Sequence, residues 1–537
     1  MKTHLPVALR KALLAALVAV SYVNYSPACA VEKETGDIDV AVLDNNTSDK
    51  TLYTGNGDVT IGEFSSVMRG SVAQGVDGLD IKAGAEGEEG KGNINIGTSQ
   101  VAITNATMTA DGNITFGETA GASEVLEVRG LDNDMRNVSI NAKGDIVFNQ
   151  TVEIHPGEGA HLSGNVNISA GGEMRFLGEK TTIQNGGTGN SATTTIEAGG
   201  PVGFENVNGT EIGSGVKFTT TGDESDVSIT TNGVAQTNLI AGTVASGGEV
   251  SVFGSTNRIL EQSGKASIHA ADGISVTATK ENSTQNAELK SQNGPLTLTV
   301  QVSEGDEGYN MIYSSSLEVA GEGNVEISGG DAYLRSASVA ARQDDVSISG
   351  GHVFVGQSFS DTSASTLDAA GKIDVAGATV SIKDNTSIDS VDGAVSITAS
   401  GSDTAASGGI TPALSVKGGN VSSRSGDVKI AAENGTAALA DVEVNGDNAS
   451  ITGDNVVVSG KSVTGTQSVE IAGTASTTIS DVNVRGTGTA SLGTSTGATE
   501  ISDSGVAVNG QVDIKGSSVS ITRNEGIVST GDSVKIA

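Results

Sequence analysis

The stretch "GNVEISGGD", residues 323–331, decides the fold of this chain. Within it, Val325 and Ile327 alternate with polar residues, which is the period of a β-strand that buries one face. The glycines on both sides supply corners, where the backbone often needs a positive φ angle. The stretch therefore predicts one short strand bounded by two turns.

Variants of this phrase recur from near the start of the chain to its end. "GDIDV" begins at Gly36, "GDVTI" at Gly57, "GNITF" at Gly112, "GDVKI" at Gly426 and "GQVDI" at Gly510. A segment this short cannot bury its own apolar face, but copies stacked on one another form a continuous core. We therefore predict an all-β chain folded as a parallel β-helix, that is, a β-solenoid of many short coils.

Further short apolar strands between the phrases predict three strands in each coil, as in residues 371–401. The clearest phrases lie about twenty residues apart, as Gly36 and Gly57 do. Roughly 500 residues at that spacing give on the order of 25 coils, stacked about 4.8 Å apart. We expect stacked corner asparagines to hydrogen-bond to one another along the axis.

Three phenylalanines occupy the inward position of the phrase. Phe116, Phe148 and Phe176 stand where Ile327 stands in the opening stretch. We therefore predict that they fill the core and bind no ligand.

Composition and charge narrow the function classes. The 537 residues include 74 Gly, only 3% aromatic residues and a net charge of −34. Such a chain repels nucleic acid and anionic lipid, so neither is expected as a partner. The chain contains too much Val and Ile to be intrinsically disordered. Its small content of bulky side chains favours a long, thin hydrophobic core over the wide cores of globular domains.

The amino end has the pattern of an export signal. Lys2 and Arg10 precede an apolar run, and Ala28 and Ala30 provide the small residues that a signal peptidase requires. We predict a secretory signal peptide at 1–30 and a β-solenoid repeat region at 31–537, truncated at its C-terminal end. Cys29 is the only cysteine, so no disulfide or thiolate metal site is expected after cleavage.

One segment fits the repeat poorly and brings three large side chains together. In residues 302–316 we expect a loop that carries Tyr309, Met311 and Tyr313 as a candidate ligand-contact surface. The alternative is that the tyrosines pack back on the wall of the solenoid.

No catalytic, cofactor-binding or metal-binding residues are predicted. Ser533 follows Gly531 and Asp532, but Val534 replaces the glycine that a serine protease motif has next. His155 and His161 lack a further ligand set with recognisable spacing, so we expect surface-loop histidines.

The repeats resemble the passenger regions of Gram-negative surface adhesins. The resemblance is one of repeat style, as in the stretch "SGNVNISAGGEMRFLG" from Ser163 and the run from Gly426 to Gly460. It covers nearly all of residues 31–537. Such proteins are autotransporters and filamentous-haemagglutinin-like proteins. The resemblance implies a right-handed parallel β-helix exported by the Sec machinery.

The resemblance also implies a function and its partners. We expect an exported, non-enzymatic adhesin or surface spacer, located at the bacterial cell surface, in the outer membrane or outside the cell. Its partners would be a host or cell-surface ligand, protein or glycan, and an outer-membrane barrel, in cis beyond residue 537 or in trans. The alternative is a secreted polysaccharide lyase or hydrolase, which needs clustered carboxylates and a basic residue on one face of adjacent coils.

Overall fold

The structure is a computed structural model, and it confirms the all-β fold class. The described residues form strands and no helix, arranged as a parallel β-solenoid of about 18 turns. They are 31–33, 36–44, 50–65, 67–69, 72–74, 76–84, 92–98, 101–129, 137–155, 164–185, 192–233, 236–260, 266–303, 306–357, 363–406, 409–523 and 525–537. The predicted signal peptide lies outside these residues.

The chain divides into two compact units. The first comprises residues up to Glu179 together with Ile183–Glu197, and the second comprises Lys180–Thr182 and Ala198–Ala537. The strands Thr181–Ile183 and Thr194–Ala198 have residues in both units. The other strands of the first unit are Val31–Lys33, Ile38–Asp44, Lys50–Thr54, Val59–Ser65, Val67–Arg69, Val72–Gln74, Val76–Ala83, Ile94–Ile96, Val101–Ala110, Ile114–Phe116, Ala122–Arg129, Val138–Ala142, Ile146–Phe148, Gln150–His155, Val166–Ala170 and Met174–Phe176.

The second unit contains the longer run of coils. Its strands are Val202–Asn206, Thr210–Ile212, Lys217–Thr220, Val227–Thr231, Thr237–Ile240, Thr243–Ser246, Glu249–Leu260, Ala266–Ala270, Gly273–Gln285, Ala287–Ser291, Leu296–Val300, Tyr309–Tyr313, Ser316–Val319, Val325–Ser328, Asp331–Arg335, Ser338–Ala341, Val346–Gly356, Thr366–Ala369, Ile373–Ile382, Ser387–Ser390, Val395–Ala399, Thr404–Ala406, Gly409–Thr411, Leu414–Lys417, Asn420–Ser423, Val428–Ala432, Thr436–Ala440, Glu443–Ser459, Ser462–Ser480, Asn483–Gly486, Thr489–Leu492, Ala498–Ser502, Gly505–Val508, Val512–Ile514, Ser518–Thr522, Gly526–Ser529 and Val534–Ile536.

Each coil of the second unit has three walls, as the strand count predicted. In one coil the first wall is Leu296–Val300, the second is Tyr309–Tyr313 and the third is Ser316–Val319. Each pairs in parallel with its counterpart in the next coil, so Leu296 faces Val325, for example. The phrase strands Val325–Ser328, Val428–Ala432 and Val512–Ile514 all lie on the first wall.

The number of coils is lower than the sequence spacing predicted, about 18 instead of about 25. The shortest coils do have about the predicted length: one spans 19 residues from Glu443 to Ser462, and another spans 20 from Ser450 to Glu470. Others are longer because they carry insertions: the coil from Asp389 to Ser422 spans 33 residues. An antiparallel hairpin, Thr404–Ala406 with Gly409–Thr411, lies within it.

The opening phrase behaves as its composition predicts. Val325 and Ile327 are completely buried and stack on Leu296 and Leu298 of the preceding coil. Gly329 has φ +78°, and a Cβ there would lie 1.9 Å from the carbonyl oxygen of Val300. This corner therefore excludes any side chain, which is why the phrase ends in glycine.

The second residue of the phrase joins successive coils. Asn324 Oδ1 accepts a hydrogen bond from the backbone N–H of Asp345, 3.1 Å away, and Asp345 Oδ1 accepts one from Lys372 in the next coil. In the first unit Asn113 does the same for Asp145 at 2.7 Å. Asn and Asp alternate at these corners because the bond uses only a side-chain oxygen, which both residues have. Where two corner asparagines follow one another, they bond to each other as expected: the backbone N–H of Asn113 donates to Asn93 Oδ1 at 2.9 Å.

The predicted phenylalanine plugs are confirmed. Phe116, Phe148 and Phe176 are buried, and their rings stack with centroids 4.8 and 4.9 Å apart and planes within 10° of parallel. Isolated rings avoid this face-to-face geometry. Here the in-register stacking of coils imposes it, because the ring spacing equals the coil spacing.

Candidate functional site

The candidate contact residues lie on a strand, which corrects the expected loop. Tyr309, Met311 and Tyr313 belong to the second-wall strand Tyr309–Tyr313, where they alternate with buried Asn310 and Ile312. All three are half-buried and face outward. Whether they contact a ligand stays a prediction.

The register adds partners that sequence reasoning missed. Met311 stacks on Tyr333, and Tyr333 stacks on Phe354 in the following coil. Tyr313 stacks on Arg335 in the same way. We call this outward surface the aromatic face, which consists of Tyr309, Met311, Tyr313, Tyr333, Arg335 and Phe354.

A cation holds the rings of the aromatic face together. The guanidinium carbon of Arg335 lies 4.6 Å from the ring centroid of Phe354 and 5.7 Å from that of Tyr313. Cation–π contacts of this length stabilise both partners by about 0.5–1 kcal/mol at exposed sites. Rings from two coils are thereby fixed relative to one another by a cation from the coil between them.

Carboxylates hold the phenol groups at the margin of the face. Tyr309 donates a hydrogen bond to Glu281 Oε2 at 3.1 Å, and Tyr333 donates one to Asp331 Oδ2 at 3.0 Å. Burial, and then the neighbouring carboxylate, raises the pKa of each tyrosine above its ordinary value of 10.0. Arg258 lies 3.7 Å from Glu281 and extends the polar margin.

A buried asparagine ladder runs through the preceding coils and ends at Asn310, behind the first strand of the aromatic face. The amide groups of Asn238, Asn257, Asn282 and Asn310 hydrogen-bond in sequence at 2.9, 3.0 and 3.0 Å. All four are at most 2% exposed. The sequence predicts asparagine ladders at the corners of the Gly-Asn phrases. This ladder is built instead from second-wall residues outside those phrases.

The ladder also fixes the turn from the first wall to the second. Each amide donates to a carbonyl at the end of a first-wall strand: Asn282 to Thr299 at 2.9 Å, and Asn310 to Ser328 at 2.9 Å. Asn310 thereby anchors from behind the strand Tyr309–Tyr313, the first of the three strands that carry the aromatic face. Rigid elements position side chains better than loops do.

A charged column occupies the third wall. Asp368 stacks in register on Asp389. Asp389 accepts hydrogen bonds from Ser422 at 2.8 Å and from Arg424 at 3.1 Å. Burial raises the pKa of Asp368 above its ordinary value of 3.8, the charge of Arg342 opposes this rise, and the charge of Asp389 adds to it.

Replacing Asp368 with asparagine is expected to raise the melting temperature at pH 7. The corresponding gain in the free energy of unfolding is at most about 1 kcal/mol. A carboxyl whose pKa is raised by folding disfavours the folded state above that pKa, and the penalty is relieved as the pH falls through it. The gain should therefore vanish near pH 3. Thermal unfolding at both pH values measures it.

Asp389→Asn is the matched control for Asp368→Asn. Asp389 is held by Ser422 and Arg424, so its replacement should give no gain at pH 7. Equal stabilisation by both substitutions would contradict the assignment of the penalty to Asp368.

The remaining sequence candidates fall in different places. His155 is the last residue of the strand Gln150–His155 and is half-buried, so it is not a loop histidine, whereas His161 lies outside the described residues. Ser533 is exposed, and its backbone N–H donates to Oδ1 of the preceding residue, Asp532, at 2.8 Å.

Comparisons with known proteins found no relative of this chain. No family model, curated protein or solved structure matches this chain. Among the described residues there is no helix with the length and apolar character of a membrane span. Function is therefore argued from the surfaces of the solenoid alone.

Proposed function

We propose that this chain is an exported, non-enzymatic β-solenoid that acts as an adhesin or surface spacer at the bacterial cell surface or outside the cell. Its ligand, a protein or glycan of a host or neighbouring cell, binds the aromatic face. The observation that carries this proposal is the concentration of Tyr309, Tyr313, Tyr333 and Phe354 on one wall of a chain with only 3% aromatic residues.

Physical reasons favour this face as a contact surface. Aromatic side chains supply large contact areas and lose little conformational entropy on binding. Here Arg335 holds Tyr313 and Phe354, and Asn310 anchors the strand of Tyr309 and Tyr313, before a ligand arrives, which lowers the cost of association further. The polar margin at Glu281 and Asp331 offers hydrogen-bonding groups that fix orientation.

Tyr333→Ala is expected to weaken ligand binding at least about tenfold, because a central, packed aromatic residue dominates such contacts. The measurement is binding of the full chain to arrays of glycans and cell-surface proteins, followed by titration of the strongest hit. Phe253→Ala is the matched control, since Phe253 is also an outward aromatic residue, 38% exposed, but lies at the end of a first-wall strand.

Two outcomes would count against the aromatic face. In one, Tyr333→Ala and Phe253→Ala change binding equally, so the ligand does not distinguish the walls. In the other, no array component binds the unchanged chain above background. Circular dichroism of each variant separates lost contact from lost fold.

A second candidate function, cleavage of an acidic polysaccharide, is favoured by the charged column. Asp368 and Asp389 are stacked carboxylates with Arg342 and Arg424 nearby, and the carboxyl of Asp368 has the raised pKa that suits proton transfer. Incubation with acidic glycans should then yield new reducing ends or unsaturated products, and Asp368→Asn should abolish them. Unchanged glycans would dismiss this candidate and leave the binding function untouched.

A further inference from the structure

In the first unit, register brings Glu127 beside Glu153 and His155, which belong to the next coil. The strands Ala122–Arg129 and Gln150–His155 pair in parallel, so Glu127 lies opposite Glu153 and Arg129 lies opposite His155. One carboxylate oxygen from each glutamate and one imidazole nitrogen of His155 all lie within 4.8 Å of one another.

The fold holds these three groups on one outward surface. Leu126 and Val128 on one strand and Val152 and Ile154 on the other are at most 1% exposed, and they alternate with the three groups. Each side chain therefore projects from a paired and anchored strand. The distance from Glu127 to Glu153 is set by the coil spacing, and the distance from Glu153 to His155 is set by their two-residue step along one strand.

The donor set is suited to a transition metal. Two carboxylates and one imidazole are ligands of Zn²⁺ and of related divalent ions, whereas Ca²⁺ and Mg²⁺ prefer oxygen ligands alone. Bonds of about 2.0–2.2 Å to one ion require donor atoms no more than about 4 Å apart. The three donor atoms, all within 4.8 Å of one another, therefore need only a modest contraction to bind one ion.

The charges at this surface are incompletely balanced. Register places two glutamates directly opposite each other, where like charges destabilise a sheet. Arg129 lies 2.5 Å from Glu127 Oε2, but this oxygen is shielded from solvent and makes no hydrogen bond of good geometry. No ion pair of Glu153 is found among the described residues. An added cation between the strands would satisfy both carboxylates.

We propose that Glu127, Glu153 and His155 form a binding site for a divalent transition metal of the zinc class. Arg129 competes with the metal for Glu127, and its guanidinium moves away when the ion binds. Three protein ligands leave a fourth position for water. The ion cross-links two adjacent coils of the first unit, independently of the aromatic face in the second.

The test is a titration of the full chain, free of any polyhistidine tag and pretreated with chelator, with ZnCl₂ by calorimetry. One site per chain is expected, together with a rise in melting temperature on Zn²⁺ addition. Glu153→Gln and His155→Gln should each weaken binding at least about tenfold. Arg129→Gln should strengthen it, because the competing cation is removed.

His269→Gln is the matched control. His269 Nε2 lies 3.7 Å from Glu288 in the second unit, so it offers the same imidazole with a single carboxylate. This substitution should leave the titration unchanged. X-ray absorption of the zinc-loaded chain should show nitrogen and oxygen ligands.

Several outcomes would overturn the site. These are the absence of a saturable site, unchanged affinity in both Glu153→Gln and His155→Gln, or an equal loss in His269→Gln. Thermal unfolding of each variant in the presence of chelator shows, independently of metal binding, whether the variant is folded. Should a ligand variant fail to fold, weakened Zn²⁺ binding in Arg129→Gln would by itself contradict the proposal.

Discussion

Phe148→Ala is expected to lower the free energy of unfolding of the first unit by about 3–5 kcal/mol. Phe148 is completely buried, and its ring is stacked between those of Phe116 and Phe176. Its removal leaves a cavity that its neighbours cannot fill, because the coil spacing fixes their backbones. Thermal or denaturant unfolding measures the loss.

The effect of Phe148→Ala should also be local. In a solenoid each coil contacts only its neighbours, so stability is close to a sum over coils. Hydrogen exchange should therefore accelerate most in Ile114–Phe116, Ile146–Phe148 and Met174–Phe176. Phe354→Ala, which removes an outward ring, is the control and should cost less than about 1 kcal/mol. Equal costs for the two substitutions would contradict the stacked core.

Asn282→Asp is expected to cost the second unit about 3–5 kcal/mol, the range for an uncompensated buried charge. The side-chain nitrogen of Asn282 donates to Thr299 O at 2.9 Å and to Asn310 Oδ1 at 3.0 Å. A carboxylate of the same shape places an oxygen against those acceptors. Unfolding monitored by circular dichroism at pH 7 measures the cost.

The control for Asn282→Asp is the same substitution at a corner. Asn324 is exposed and uses only its Oδ1, as acceptor from the N–H of Asp345, so Asn324→Asp should change stability by no more than about 0.5 kcal/mol. A comparable loss at both positions would refute the distinction between corner and ladder. Because Asn282 hydrogen-bonds to Asn310 on the strand that carries Tyr309 and Tyr313, Asn282→Asp should also weaken ligand binding.

The two kinds of asparagine illustrate how far sequence patterns reach. At Asn324 the preceding Gly and the following Val identify a corner, so the local sequence pattern is enough to predict the position of this side chain. Asn282 stands in "KENSTQ" among polar residues, and nothing local indicates that it points inward. Its burial depends on Asn257 and Asn310 lying above and below it in adjacent coils.

The candidate surfaces were less accessible to sequence reasoning than the fold. Tyr309 and Tyr313 were found by their proximity in the chain, but the acidic residues before them suggested a loop. Tyr333 and Phe354 complete the face only through register. An aromatic residue at the outward position of a short strand, as in "DAYLR" from Asp331, was the available signal.

By itself, the sequence determined the all-β solenoid, the short first-wall strands, the glycine corners and the buried phenylalanines. Each of these follows from a pattern within one phrase, since alternation and glycine act on neighbouring residues. Only the tertiary structure decided the number of coils, the asparagine ladder, the aromatic face and the grouping of Glu127 with Glu153 and His155. Those features depend on which residues stack across coils, and insertions of variable length change that register without changing any local pattern.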